Sequence, residues 1–142
     1  MRDIDEITQQ IVDAAYHLHT DLGPGLLESV YEAVLARMLE RRGLQAERQK
    51  PVSFEFEGIR FEEGFRVDLL VEGRVVVELK SVEKLTPVHG KQVLTYLRLL
   101  GMRVGLLVNF GAPTMKEGLR RIVNAHEPSS RSLLRVNQQG SG

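Results

Sequence analysis

Asp68, Glu78 and Lys80 lie within two apolar, strand-like runs between Arg66 and Lys80, where an ionised side chain is costly to bury. A lone carboxylate removed from water neutralises, pairs with a cation or binds a metal ion. Two acids and an ammonium group converging on one sheet edge would make a divalent-metal site beside a general base or charge stabiliser. Glu78 and Lys80 are two apart and so leave one face of a strand. The side of Asp68 depends on the turn at Glu72-Gly73. A two-residue hairpin would set Asp68 opposite Val77 and send its carboxylate to the far face. A type I′ turn needs positive φ at Glu72 as well as Gly73, whereas a three-residue loop needs it only at Gly73, so the longer loop is predicted. Leu70 then faces Arg74, Asp68 faces Val76, and Asp68 is a diagonal same-face neighbour of Glu78.

Three further residues fall where they could reach that edge. Gln92 and Tyr96 are four apart, hence on one face of the helix that follows the lysine strand. Glu28 is an acid in the first turn of a helix, where the dipole favours it, and it borders the apolar stripe of Leu27 and Tyr31. A plainer interpretation remains open: Asp68 and Glu78 as strand-end charges, Lys80 in an ion pair with one of them, and Tyr96 as a core residue. His17, His89 and His126 read as surface histidines near helix ends or turns. Gly23-Pro24-Gly25 lacks the preceding strand and following lysine of a phosphate loop, and no serine elbow or Cys-His pair offers covalent catalysis.

Helical spacing predicts a first helix over 3–22 and a second over 26–42, separated by the Gly-Pro-Gly break and stopped by Gly43. Strands are expected over 51–56, 59–71 and 74–80, an antiparallel meander with turns at Glu57-Gly58 and Glu72-Gly73. Thr86-Pro87 opens a third helix ending near Gly101, 103–110 reads as a covered strand, and 114–124 as a short basic helix. A strand that follows a helical crossover lies parallel to a meander strand, which gives a mixed sheet with helices on its faces. Residues 1–126 are expected to form one domain and 127–142 a flexible C-terminal tail.

The chain has 142 residues, 42% of them hydrophobic, enough for a single packed core. Its nineteen basic and nineteen acidic residues cancel, which disfavours a strong unspecific grip on a polyanion unless the charges segregate. Without cysteine there is neither a disulfide nor a thiolate zinc site, so any metal must be held by oxygen or imidazole. The first ten residues lack the regions of a signal peptide, and Arg103 interrupts the best apolar run, 99–108; no membrane span and a cytoplasmic location are expected.

Taken together, Gly25-Leu-Leu-Glu28-Ser-Val-Tyr31, Asp68, Glu78-Leu79-Lys80 and Gln92-Val-Leu-Thr-Tyr96 resemble the GxxExxY proteins, a bacterial and archaeal group within the PD-(D/E)xK nuclease superfamily. The resemblance runs from about Ile4 to Asn124, and its Gln-x-x-x-Tyr element is similar to the RecB-like exonuclease branch. It implies an α/β (α+β), restriction-endonuclease-like mixed sheet between helices. It also implies a metal-dependent nuclease acting on nucleic acid, DNA in preference to RNA. By the same resemblance Asp68, Glu78 and the Leu79 carbonyl would bind Mg²⁺ or Mn²⁺, Glu28 would complete the acidic cluster, and His19 would be an additional ligand. Lys80 would orient or deprotonate water and offset charge, and Gln92 and Tyr96 would position lysine, water or phosphate. Lys84, Lys91, Arg98, Lys116, Arg120 and Arg121 could guide the phosphate backbone, and a domain this small suggests a homodimer or larger partner. The alternative is a nuclease-like fold that works as a binding or regulatory module. Two departures from the family pattern are Val67 before Asp68, where proline is common, and Gly90 after His89, where relatives often carry an acid.

Overall fold

The computed structural model describes residues 2–125 and the strand Arg135–Asn137. Helix α1 (Ile4–Leu22) begins where the Asp3 side chain accepts the Glu6 N–H at 2.9 Å, satisfying one of the unpaired donors of the first turn. Ile7, Ile11, Ala14, Ala15 and Leu18 form its buried stripe. It stops at Gly23, whose φ of 74° lies in the region glycine tolerates. Helix α2 (Glu28–Arg41) buries Tyr31, Leu35, Ala36 and Leu39 against α1 and the sheet.

Strands β1 (Ala46–Phe56), β2 (Ile59–Val71) and β3 (Val75–Lys80) form the expected antiparallel meander. Helix α3 (Pro87–Leu100) carries the chain across to β4 (Val104–Asn109), which runs parallel to β3 and is buried at every position. After the single turn α4 (Met115–Gly118), β5 (Leu119–Val123) returns antiparallel to β4, and β6 (Arg135–Asn137) pairs with β1. The sheet order is β5-β4-β3-β2-β1-β6. The result is a mixed sheet with flanking helices, an α+β architecture of the restriction-endonuclease-like kind.

The alternation of side chains along β2, β3 and β4 divides the core. Leu69, Val71, Val75, Val77, Leu79, Leu106 and Val108 face α1 and α2. Leu70, Val76 and Leu107 face Val93 and Leu97 of α3. Each fully buried aliphatic side chain stabilises the fold by roughly 1.5–3 kcal/mol. Because Asp68, Glu78 and Lys80 share strand parity with Leu70 and Val76, the α3 side of the sheet is where they emerge.

Several expectations change. The region 114–124 is not a helix: Thr114 caps one turn by accepting the Glu117 N–H, and the chain then extends, because pairing with β4 satisfies more backbone groups than a short isolated helix could. Strand β1 starts at Ala46 rather than Pro51. The β2–β3 connection has three residues, but they are 72–74, between Val71 and Val75, rather than the expected 71–73, and Leu70 pairs with Val76, not Arg74. Glu72 does adopt positive φ, 54°, beside Gly73 at 63°. Its own N–H donates to the Gln45 carbonyl at 2.8 Å and its carboxylate accepts the Gln45 N–H at 2.7 Å, which offsets the unfavourable conformation. The tail expected over 127–142 lies outside the described residues except for β6.

The Gly23–Leu27 connection is held from two sides. The Tyr31 hydroxyl donates to the Gly23 carbonyl at 2.6 Å and accepts the Leu26 N–H at 3.1 Å, while its ring stacks on Phe110 at 4.5 Å. Ser81, directly after Lys80, donates its hydroxyl to the Leu26 carbonyl at 2.7 Å. The start of α2 is thereby fixed to the end of β3. Tyr31→Phe, which keeps the ring but loses both bonds, is expected to cost about 1–2 kcal/mol in denaturant unfolding and to speed exchange of the Leu26 amide.

Candidate functional site

The pairing Leu69↔Val77 sets Asp68 across from Glu78 one step further along β2 and β3. At that step the ladder opens. Asp68 Oδ2 accepts the Leu79 N–H at 2.9 Å where a main-chain carbonyl would otherwise stand. Leu79's N–H and C=O leave the same edge of the strand, so its carbonyl opens toward the same gap. Lys80 faces the other way along the backbone, its carbonyl accepting the Phe110 N–H at 2.9 Å. On the β1 side the pairing skips from Arg48↔Leu69 to Lys50↔Val67, and Gln49 between them has φ of 49°. Asp68 therefore sits in a break in both ladders, with Oδ1 accepting from Gln49 Nε2 at 3.2 Å.

Glu78 is only 3% exposed, and its Oε1 is buried with no hydrogen-bond partner among the described residues. Its carboxyl is pushed up to about 10. Burial is the largest cause, followed by hydrogen bonding and charge repulsion from Asp68; the charge of Lys80 pulls the other way and does not compensate. Lys80 Nζ donates to Gln92 Oε1 at 3.1 Å, so its hydrogen-bond partner is a neutral amide rather than a carboxylate. Tyr96, one turn further along α3, lies flat against Phe65 with ring centroids 4.3 Å apart. Burial and then the charges of Glu78 and Asp68 raise the pKa of its phenol, partly countered by a hydrogen bond with Gln92. The hydroxyl thus remains a neutral donor near the acid pair.

Asp68, Glu78, Leu79, Lys80, Gln92 and Tyr96 are brought to one edge. Glu28 and His19 are not brought into the acid pair. Glu28 is the exposed first residue of α2. The ring of His19 is buried, with Nε2 bonded to the Ala112 carbonyl at 2.8 Å and its plane against Phe110. Among the described residues no group of three or more His, Cys, Asp and Glu side chains could hold a metal together, so the expected set of Asp68, Glu78, Glu28 and His19 does not assemble. The acid of α2 that does connect to Asp68 is Glu32, one turn after Glu28 and 5% exposed. Arg48 Nε donates to Glu32 Oε2 at 3.1 Å and Gln49 Nε2 to Oε1 at 2.6 Å. The only sequence signal for Glu32 was an acid inside the buried stripe between Tyr31 and Leu35.

The chemistry of the remaining donors fits a hard divalent cation. Two carboxyl groups and a main-chain carbonyl are hard oxygen donors, and Oε1 of Glu78 has no hydrogen-bond partner among the described residues. A mixed sheet that opens between two strands to converge two acids, with a lysine two residues further on, defines a nuclease-like α+β domain. The family model of the PD-(D/E)XK nuclease superfamily matches residues 5–122, and the chain belongs to that superfamily. Its members are generally nucleases that use divalent ions, typically Mg²⁺ or Mn²⁺. No curated protein and no solved structure matches the chain. None of the described helices is long and apolar enough to cross a membrane.

The raised carboxyl fixes the sign of a pH effect. Between the unfolded value of 4.5 and about 10 the native state holds a proton that the unfolded chain has released. Metal-free stability should therefore fall as pH rises through that window. Melting temperatures from pH 5 to 9 are expected to decline in the wild type and to do so less steeply in Glu78→Gln. Addition of Mn²⁺ at pH 8 should raise the melting temperature of the wild type only.

Proposed function

We propose that this protein is a divalent-metal-dependent phosphodiesterase that hydrolyses nucleic acid, DNA in preference to RNA, and that it is one of the GxxExxY proteins. The observation that carries the reading is the buried Glu78 carboxyl beside Asp68, whose Oε1 has no hydrogen-bond partner among the described residues. A structural ion-pair cluster would have spent Lys80 on that carboxylate, whereas Lys80 is tied to Gln92.

Asp68, Glu78 and the Leu79 carbonyl would hold Mg²⁺ or Mn²⁺, and the bound ion would supply Lewis acidity to the scissile phosphate and to the attacking water. Asp68 is restrained for this by Leu79 N–H and Gln49, so its carboxylate need not reorganise on binding. Lys80, its ammonium aimed by Gln92, would orient the attacking water and offset charge developing on the phosphate. The neutral Tyr96 hydroxyl would donate to water or to a phosphate oxygen. Lys84, in the connection to α3, and Lys91, beside Gln92, are exposed where they could meet the flanking backbone phosphates.

Cleavage of single-stranded DNA, duplex DNA and RNA by the purified protein with Mg²⁺ or Mn²⁺ tests this. Asp68→Ala and Lys80→Ala are each expected to lower the rate by at least about 100-fold. Metal-independent binding without cleavage would instead favour a binding module, and cleavage indifferent to both substitutions would refute the assignment.

A further inference from the structure

Gln49 is a non-glycine residue at φ of 49° in the middle of a strand, a conformation that persists only where the surroundings enforce it. Consecutive residues of a regular strand point to opposite faces. Arg48 and Gln49 nevertheless both reach the carboxylate of the buried Glu32, Arg48 at Oε2 and Gln49 at Oε1. The left-handed backbone at Gln49 is what allows this. The same Gln49 Nε2 that donates to Glu32 at 2.6 Å also donates to Asp68 Oδ1 at 3.2 Å. Ionised carboxylates only accept hydrogen bonds, so a group standing between two of them must offer two hydrogens, and a single amide NH₂ does.

We infer that Gln49 and Glu32 are positioning residues for the metal: Glu32 fixes the Gln49 amide, and the amide holds Asp68 Oδ1 so that the other carboxylate contacts stay directed into the gap beside Leu79. The inference rests on the reading of Asp68 as a metal ligand. The arrangement adds a restraint without adding a charge to Asp68, because the anion of Glu32 is itself matched by Arg48. Replacement of the amide would remove the restraint on Oδ1 and leave the Leu79 N–H bond on Oδ2 and the contact with Glu78. Outer partners of metal-holding side chains commonly act in this way.

The test is the Mn²⁺ dissociation constant, measured from free Mn²⁺ by electron paramagnetic resonance on the wild type, Gln49→Gly, Glu32→Gln and Asp68→Asn, with melting temperatures in parallel. Glycine is at ease at positive φ, so Gln49→Gly relieves the backbone while it removes the amide. Its melting temperature is expected to hold or rise, while Mn²⁺ binding weakens about 10- to 100-fold. A merely structural Gln49 would not separate the two readouts. Glu32→Gln leaves the backbone untouched and should also weaken Mn²⁺. Wild-type affinity in both variants, together with loss of binding in Asp68→Asn, would overturn the positioning role while leaving Asp68 as a ligand. Wild-type affinity in Asp68→Asn would refute the metal reading and this inference with it.

Discussion

A carboxyl buried beside a second carboxylate, with one of its oxygens lacking any described hydrogen-bond partner, is the interaction on which the rest of this domain depends. Glu78 cannot ionise there unaided: burial and the field of Asp68 both oppose its charge, and the ammonium of Lys80 offsets only part of that. Either a proton or a cation must neutralise the Glu78 carboxyl. Every nearby group is already committed. Asp68 takes the Leu79 N–H and the Gln49 amide, Lys80 is turned to Gln92, and Tyr96 is flat against Phe65. Glu78 Oε1 has no hydrogen-bond partner among the described residues, and the Leu79 carbonyl leaves the same strand edge as the N–H that Asp68 accepts.

Holding that gap open has a structural cost, and the fold meets it with local closures around the ends of β3 and β4. Asn109, 1% exposed, accepts the N–H groups of Val82 and Gly111 and donates to the Val82 carbonyl, sealing the chain after Lys80. Gly111 is required for that approach, because a Cβ there would lie 2.3 Å from the Val82 carbonyl oxygen. Tyr31 and Ser81 then fasten the start of α2 over the same end of the sheet. The Gly-x-x-Glu-x-x-Tyr segment thus divides its work: its tyrosine builds the loop, its glutamate Glu28 faces solvent, and the next acid, Glu32, reaches inward toward Asp68 through Gln49.

Much of this was legible in the sequence where a short-range rule operates. The two-residue spacing of Glu78 and Lys80 and the four-residue spacing of Gln92 and Tyr96 set their faces without reference to the rest of the chain, and Thr86-Pro87 marked the start of α3 correctly. Same-face placement of Asp68 and Glu78 followed from the odd loop length, although the register differed, because Glu72 accepts a left-handed backbone in return for two bonds to Gln45, a residue far off in sequence. Strand β5 was misread because Leu119 and Ile122 fit a helical period, whereas the deciding hydrogen bonds come from β4. Glu32 was invisible for a related reason: its partners, Arg48 and Gln49, lie on another element, and Gln49 reaches it only by breaking the alternation that strand reading assumes.

The central claim is that a divalent cation held by Asp68 and Glu78 takes the place of the proton on the Glu78 carboxyl. Calorimetric titration with Mn²⁺ at pH 8, in buffers of different ionisation enthalpy, measures that exchange directly. The account predicts that binding releases roughly one proton. Binding of Mn²⁺ with no proton released would contradict it.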